Sequence, residues 1–271
     1  MTPLTDSRQA KLALRGVTMR FGGVVAVDDV SFDAHGGEVL GVMGPNGAGK
    51  TTLFNCISGV QRPSAGRIAL DDLPLTGRDV EEIAALGVTR TFQTPMMFAG
   101  LTARESVEVA LAAHEYHGTY PPRADRGLLA SGLGLGARRR ADAVLRDRAD
   151  ALLAQSGIAA IGDRPTESLA FGEERMLELA RALAVRPKVL LLDEPLSGLN
   201  PDEVHDVLRT VRTARDNGIA VVLVEHAVGE LLAIADRVVV LDHGRVIAHG
   251  DPQAVARDPV VVDAYLGDEL G

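Results

Sequence analysis

Two kinds of hydrophobic patterning alternate along the chain. Glu38–Met43, Val88–Phe92, Val189–Asp193, Val221–Glu225 and Val238–Leu241 are short, mostly apolar runs without alternation, set between helical stretches. A strand buried on both faces reads this way, and strands separated by helices predict a largely parallel sheet covered on both sides. Leu12–Phe32 and Arg67–Leu70 alternate more, which predicts an antiparallel β edge layer beside the parallel sheet. From about Pro95 to Pro187 helical patterns dominate, broken by His117–Arg140, a segment rich in Gly, Pro and Arg. After the break, Val144, Leu145, Ala149, Leu152 and Leu153 fall on one helical face. Asp142, Arg146, Asp147 and Asp150 fall mainly on the other, so this helix is expected to bury one side. No internal repeat is visible. The fold class is therefore α/β, with a mostly parallel sheet, an antiparallel edge layer and a helical subdomain.

Length and charge narrow the picture. A chain of 271 residues holds one large or two small domains. We divide it into a loose N-terminal tail (1–11) and a single domain (12–271). The domain has a core from 12–94 and 188–255, a helical subdomain at about 95–187, and a C-terminal tail at 256–271. No apolar run approaches the ~18 residues of a membrane helix. The 37 acidic and 28 basic residues leave a net charge of −9, which disfavours nucleic acid as a partner. Cys56 is the only cysteine, which excludes an intramolecular disulfide and fits a reducing compartment. The stretch Met1–Lys11 is polar and lacks the apolar region of a signal peptide, so a cytoplasmic location is expected.

Chemistry enters at Gly44-Pro45-Asn46-Gly47-Ala48-Gly49-Lys50-Thr51, which matches the phosphate-binding loop pattern between an apolar strand and a helix. The glycines let successive N–H groups turn around phosphate oxygens, and the helix N-terminus adds partial positive charge. Lys50 reaches the terminal phosphates and Thr51 can hold magnesium. Only three lysines occur, Lys11, Lys50 and Lys188, so Lys50 is not drawn from a lysine-rich background. Val189-Leu190-Leu191-Leu192-Asp193-Glu194-Pro195 is an apolar strand ending in two carboxylates. Asp193 stands where a strand-end aspartate meets the magnesium ion, and Glu194 where a general base orients the attacking water.

With these motifs the chain resembles the ATP-binding subunits of ABC transporters over roughly Leu12 to Gly267. Thr91-Phe92-Gln93 resembles the Q-loop, Leu169-Ala170-Phe171-Gly172-Glu173 the signature, Leu196-Ser197-Gly198-Leu199-Asn200 the D-loop, and Glu225-His226 the switch histidine. The resemblance implies a P-loop NTPase core, ATP hydrolysis, and ATP and Mg2+ as ligands. It implies that Phe21 stacks on adenine and that Gly44–Thr51 and Thr52 bind the phosphates. Gln93 and His226 then join Glu194 in catalysis, and Thr51, Gln93 and Asp193 hold the metal. Leu169, Ala170, Phe171, Gly172 and Glu173 would meet the ATP of a partner subunit. The common signature is Leu-Ser-Gly-Gly-Gln. Ala170 therefore lacks the usual hydroxyl, Phe171 replaces a glycine, and Glu173 brings a carboxylate in place of an amide.

Within the family, the Leu-Ala-aromatic-Gly signature, Arg90-Thr91-Phe92-Gln93, Gly198-Leu199-Asn200-Pro201, the central insertion and the ending Ala264-Tyr265-Leu266-Gly267 resemble branched-chain amino acid importers, specifically their larger ATPase subunit. Importers of urea, short amides or aromatic acids share much of this, lipid exporters share the nucleotide motifs, and a soluble ABC ATPase outside transport is a further alternative that the net acidic charge and the single phosphate loop disfavour. The resemblance implies integral-membrane permeases, a second ATPase subunit, a homologue in preference to an identical chain, and indirectly a solute-binding protein. The location implied is peripheral, on the cytoplasmic face of the inner membrane. Met96, Met97, Phe98 and Leu101 form either an apolar surface for a permease helix or ordinary core. Arg138-Arg139-Arg140 either meets anionic lipid or is simply solvated.

Overall fold

The non-alternating runs become strands of one sheet, fully buried in its centre and part-exposed at the edge strand that opens at Val88. The computed structural model describes residues 11–91, 96–115 and 131–268. In chain order the elements are β1 (Lys11–Phe21), β2 (Val24–His35), β3 (Val39–Met43), α1 (Lys50–Ile57), β4 (Ala65–Leu70), β5 (Leu73–Pro74), α2 (Val80–Ala85) and β6 (Val88–Arg90). Then come α3 (Ala103–Glu115), α4 (Ser131–Gln155), α5 (Phe171–Ala184), β7 (Val189–Asp193), α6 (Pro201–Asp216), β8 (Ala220–Val224) and α7 (Val228–Ile234). β9 (Arg237–Asp242), β10 (Arg245–Gly250), α8 (Pro252–Val255) and α9 (Pro259–Asp268) complete the chain. They fall into two units. One holds Met1–Gln93, Lys188–Gly198 and Val207–Gly271, the other Thr94–Pro187 and Leu199–Asp206.

The first unit contains a six-stranded sheet in the order β10-β9-β3-β8-β7-β6 and a four-stranded sheet in the order β2-β1-β4-β5. In the larger sheet β3 runs parallel to β8 and β9, and β7 parallel to β6 and β8; only β10 is antiparallel. Every residue of β3, β7 and β8 is buried, as their lack of alternation requires. The smaller sheet is antiparallel throughout. Its alternation is visible in β1, where Leu12 and Leu14 are buried and Lys11 and Ala13 less so. Leu14, Val30, Phe54, Ile68, Val222 and Leu241 belong to one apolar cluster that joins both sheets to α1. Cys56 packs in it, and burial pushes its thiol up to about 11, so it acts as a small apolar filler.

In the second unit α3, α4 and α5 share a core of Val107, Leu111, Ala149, Leu153, Leu177 and Ala180. The structure corrects two expectations here. Residues 131–140 are not a break but the start of α4. Gly132, Gly134 and Gly136 each cost about 1 kcal/mol in a helix, yet the helix-favouring run from Ala137 onward extends back through them. Val144 is also 54% exposed instead of sharing the buried face of Ala149 and Leu153. It lies about 100° around the helix from Leu145, off the stripe that meets the core. Arg104 ties the unit together. Its guanidinium donates to Asp150 at 2.5 Å and to Asp163, while its backbone N–H donates to the Gly162 carbonyl. The carboxylates of Asp163 and Asp150 push its pKa above the ordinary arginine value.

Leu153→Ala is expected to lower the urea-unfolding free energy by about 3 kcal/mol, because its side chain is fully buried in the helical core. Val144→Ala on the same helix should change it by less than about 0.5 kcal/mol.

Candidate functional site

β3 ends at Met43 and the chain turns through Gly44–Gly49 into α1, the strand–loop–helix order the glycine-rich motif predicts. Two of the glycines are required sterically. Gly44 sits at φ 147°, and a Cβ there would stand 2.2 Å from the Leu241 carbonyl oxygen. Gly49, at φ 99°, would place a Cβ 2.3 Å from the carbonyl of Ala26. Gly49 gives α1 no side-chain cap, and no acidic residue lies in its first turn. The helix N-terminus is thus left suited to an anion. The Lys50 side chain is buried against the loop, its Nζ donating to the carbonyls of Gly44 at 2.7 Å and Pro45 at 2.8 Å. Asn46–Thr52 line a cleft of about 400 Å3 together with Ala26, Glu194 and His226.

The acidic strand end is built by the sheet. Asp193 closes β7 at 1% exposure, one oxygen 2.7 Å from an Arg90 guanidinium nitrogen and the other buried without a hydrogen-bond partner. Glu194 comes next, in the left-handed region at φ 51°, a conformation costing a non-glycine residue of order 1 kcal/mol. Its N–H donates to the Val224 carbonyl of β8, and its Oε1 lies 2.8 Å from His226 Nε2. Between these two, Glu225 is 4% exposed and accepts the Leu196 N–H at 2.6 Å, tying the turn after β7 to the end of β8. A half-buried carboxylate held against an imidazole at the mouth of an anion-binding loop can orient and deprotonate a water.

Arg90 has a structural role that its motif did not reveal. From β6 it donates 2.6 Å to Asn55 Oδ1 of α1 and 2.7 Å to Asp193, with its guanidinium over the Phe54 ring. The signal available was a lone arginine closing a short strand beside β7. Phe21 stands at the tip of the β1–β2 hairpin, paired with Val24 and 45% exposed, and is not among the cleft-lining residues. Phe92 and Gln93 lie outside the described residues, as do the side chains of Arg138–Arg140 and residues 1–10, while Lys11, assigned to the tail, opens β1.

Leu169–Glu173 belong to the helical unit. Ala170 precedes α5, and its N–H donates to Glu173 Oε2 at 2.8 Å; Glu173 Oε1 accepts from Arg164 at 2.6 Å. The carboxylate that departs from the family amide thus caps the helix and pairs with an arginine. Gly172 packs so closely on Glu203 that a Cβ would stand 2.2 Å from its carboxylate. Phe171 is exposed, with Arg175 over its ring. In the segment before α3, Met96 is 67% and Phe98 39% exposed, the latter under the Arg181 guanidinium, while Met97 packs on the helical core. The stretch is therefore part surface and part core.

Residues 27–197 match the family described as ABC transporter, and residues 245–270 the one described as Branched-chain amino acid ATP-binding cassette transporter. The high-affinity branched-chain amino acid transport ATP-binding protein LivG of Salmonella typhimurium is 38% identical, covering 96% of this chain and 99% of its own. The corresponding protein BraF of Pseudomonas aeruginosa is 36% identical over 95% and 98%. Among solved structures, the ADP conformation of an ATP-binding cassette of an ABC transporter superposes with a TM-score of 0.78 at 27% identity, covering 95% of this chain and 99% of that one. Likeness at this identity over nearly the whole of both chains goes beyond shared topology, and the chain belongs to the ABC transporter family, as one of its ATPases.

Proposed function

We propose that this chain is the ATP-hydrolysing subunit of an importer for branched-chain amino acids. The observation that carries the catalytic part is the cleft shared by Lys50, Thr51, Glu194 and His226. Gly44–Thr52 wrap the phosphates, and Lys50 leaves its loop carbonyls to meet the terminal ones. Phe21 stacks on adenine from the hairpin tip. Glu194 takes the proton of the attacking water, and His226 holds that carboxylate and contacts the γ-phosphate. Gln93 completes the set. The buried, unpartnered oxygen of Asp193 and the threonine at the start of α1 fit Mg2+, with Thr51, Asp193 and Gln93 as its holders. Bound there, the ion would neutralise charge on the phosphates.

The chain has one phosphate loop and one signature segment, so two subunits are needed for each to serve the other's ATP. Leu169–Glu173 then face the partner's γ-phosphate. Ala170 offers no hydroxyl and its N–H is taken by Glu173, so the contact rests on the N–H groups that open α5. We favour a homologous second subunit over an identical one. The γ-phosphate bridges the closed pair, and hydrolysis removes the differential binding that holds it shut. Met96 and Phe98 offer an apolar surface to a permease helix. No helix among the described residues is long and apolar enough to cross a membrane, which fits a peripheral subunit on the cytoplasmic face, working with separate permeases and, through them, a solute-binding protein. Branched-chain amino acids as cargo are supported by the names of the relatives and by the match at residues 245–270.

Glu194→Gln should bind ATP normally and hydrolyse it at least roughly 100-fold more slowly, whereas Lys50→Ala should lose binding; calorimetry and phosphate release read both. Full turnover by Glu194→Gln would refute the assignment. Arg90→Met should cost about 3 kcal/mol in urea unfolding, since it strands the buried Asp193 carboxylate. Tagged Glu194→Gln protein captured from its own membranes with Mg-ATP should retain two polytopic permeases and a second ATPase, and deleting the gene should abolish high-affinity leucine uptake. Recovery of no membrane protein, or unchanged uptake, counts against the transport role or its cargo.

A further inference from the structure

Gly44 opens the phosphate loop, and both of its peptide groups are engaged. Its carbonyl accepts from Lys50 Nζ at 2.7 Å, and its N–H donates to the phenol oxygen of Tyr265 at 2.8 Å. Tyr265 lies in α9, which packs on β10 and falls within the 245–270 family match. On its Cβ side Gly44 abuts the Leu241 carbonyl at the end of β9. The first residue of the loop is thus clamped between a strand end and a C-terminal helix.

We infer that Tyr265 is a positioning residue for the nucleotide site: its hydroxyl fixes Gly44, the residue at which the loop begins, in the arrangement that receives the phosphates. The inference deepens the phosphate-loop assignment made under Proposed function and rests on it. A glycine at φ 147° has the widest backbone freedom of any residue, so an external acceptor for its N–H limits where the loop begins. The Tyr265 phenol supplies that acceptor. Burial, partly offset by the bond from Gly44, raises the Tyr265 pKa, so the phenol is neutral at physiological pH and the tether is an uncharged hydrogen bond.

The test compares wild type, Tyr265→Phe, Tyr265→Ala and Lys50→Ala as full chains, measuring ATP and ADP dissociation constants, KM, kcat and Tm. Tyr265→Phe keeps the ring and removes the acceptor. It should weaken ATP and ADP alike by about fivefold, which is ~1 kcal/mol, because both carry the phosphates the loop grips. KM should rise in step, with kcat at saturating ATP and Tm close to wild type. Unchanged affinity in Tyr265→Phe overturns the inference, as does a fall in Tm without a loss of affinity. An effect confined to Tyr265→Ala also overturns it, since packing alone would then explain the residue. Lys50→Ala separates the two levels: if it binds ATP like wild type, the phosphate-loop assignment falls and this inference with it.

Discussion

The cleft depends on the register of three buried parallel strands. Val42 of β3 lies opposite Val224 of β8, and Val224 opposite Asp193 of β7, so the three strands end together at one edge. Beyond that edge the chain can supply only the residues next in sequence after each strand: Gly44 and the loop, Glu194, and Glu225 with His226. Chemistry spread from residue 44 to residue 226 therefore converges because parallel neighbours share a direction. The apolar β-branched content of the strands is what holds that edge in place. A slip of one residue in β7 would draw Glu194 into the buried sheet.

A strand edge alone leaves carboxylates loosely aimed, and the structure fixes them from several sides. Arg90 holds one oxygen of Asp193 in a pocket where an unpaired charge would be costly, and it reaches Asn55 of α1 with the same guanidinium. The strand that carries the acid and the helix that leads out of the phosphate loop are thereby tied through one side chain. Glu194 takes a left-handed backbone, sustained by its N–H on Val224 and by Glu225 anchoring Leu196. Its carboxylate thus meets His226 through a turn the surrounding hydrogen bonds impose.

How much of the molecule is legible in the sequence depends on how local each constraint is. Unalternating strands and the glycine-rich loop are written in consecutive residues, and both stand where the pattern places them. Glu173 reads in the sequence only as a departure from a family motif; that it caps α5 emerges from its bond to the Ala170 N–H. Val144 and the helical start of α4 are misplaced because periodicity marks a face but not where the core ends along it. Arg90 and Tyr265 stand out in the sequence only as parts of motifs. Their partners lie 103 and 221 residues away, and no local pattern states such a pairing.

The two long-range ties share a logic. The parallel sheet brings backbone ends together, but each end then needs a side chain from elsewhere to set its angle. Arg90 comes from the neighbouring strand β6 and Tyr265 from α9, reached only after the chain has completed both sheets. Gly44 has no side chain to orient itself, because a Cβ would strike Leu241. The conformational freedom that lets the loop turn toward phosphate also lets it wander, and the restraint must come from outside the loop. A C-terminal helix is well suited to that task. It docks on the last strand and reaches the loop's first residue through one side chain, so the restraint is carried by a part of the fold that the loop does not itself build.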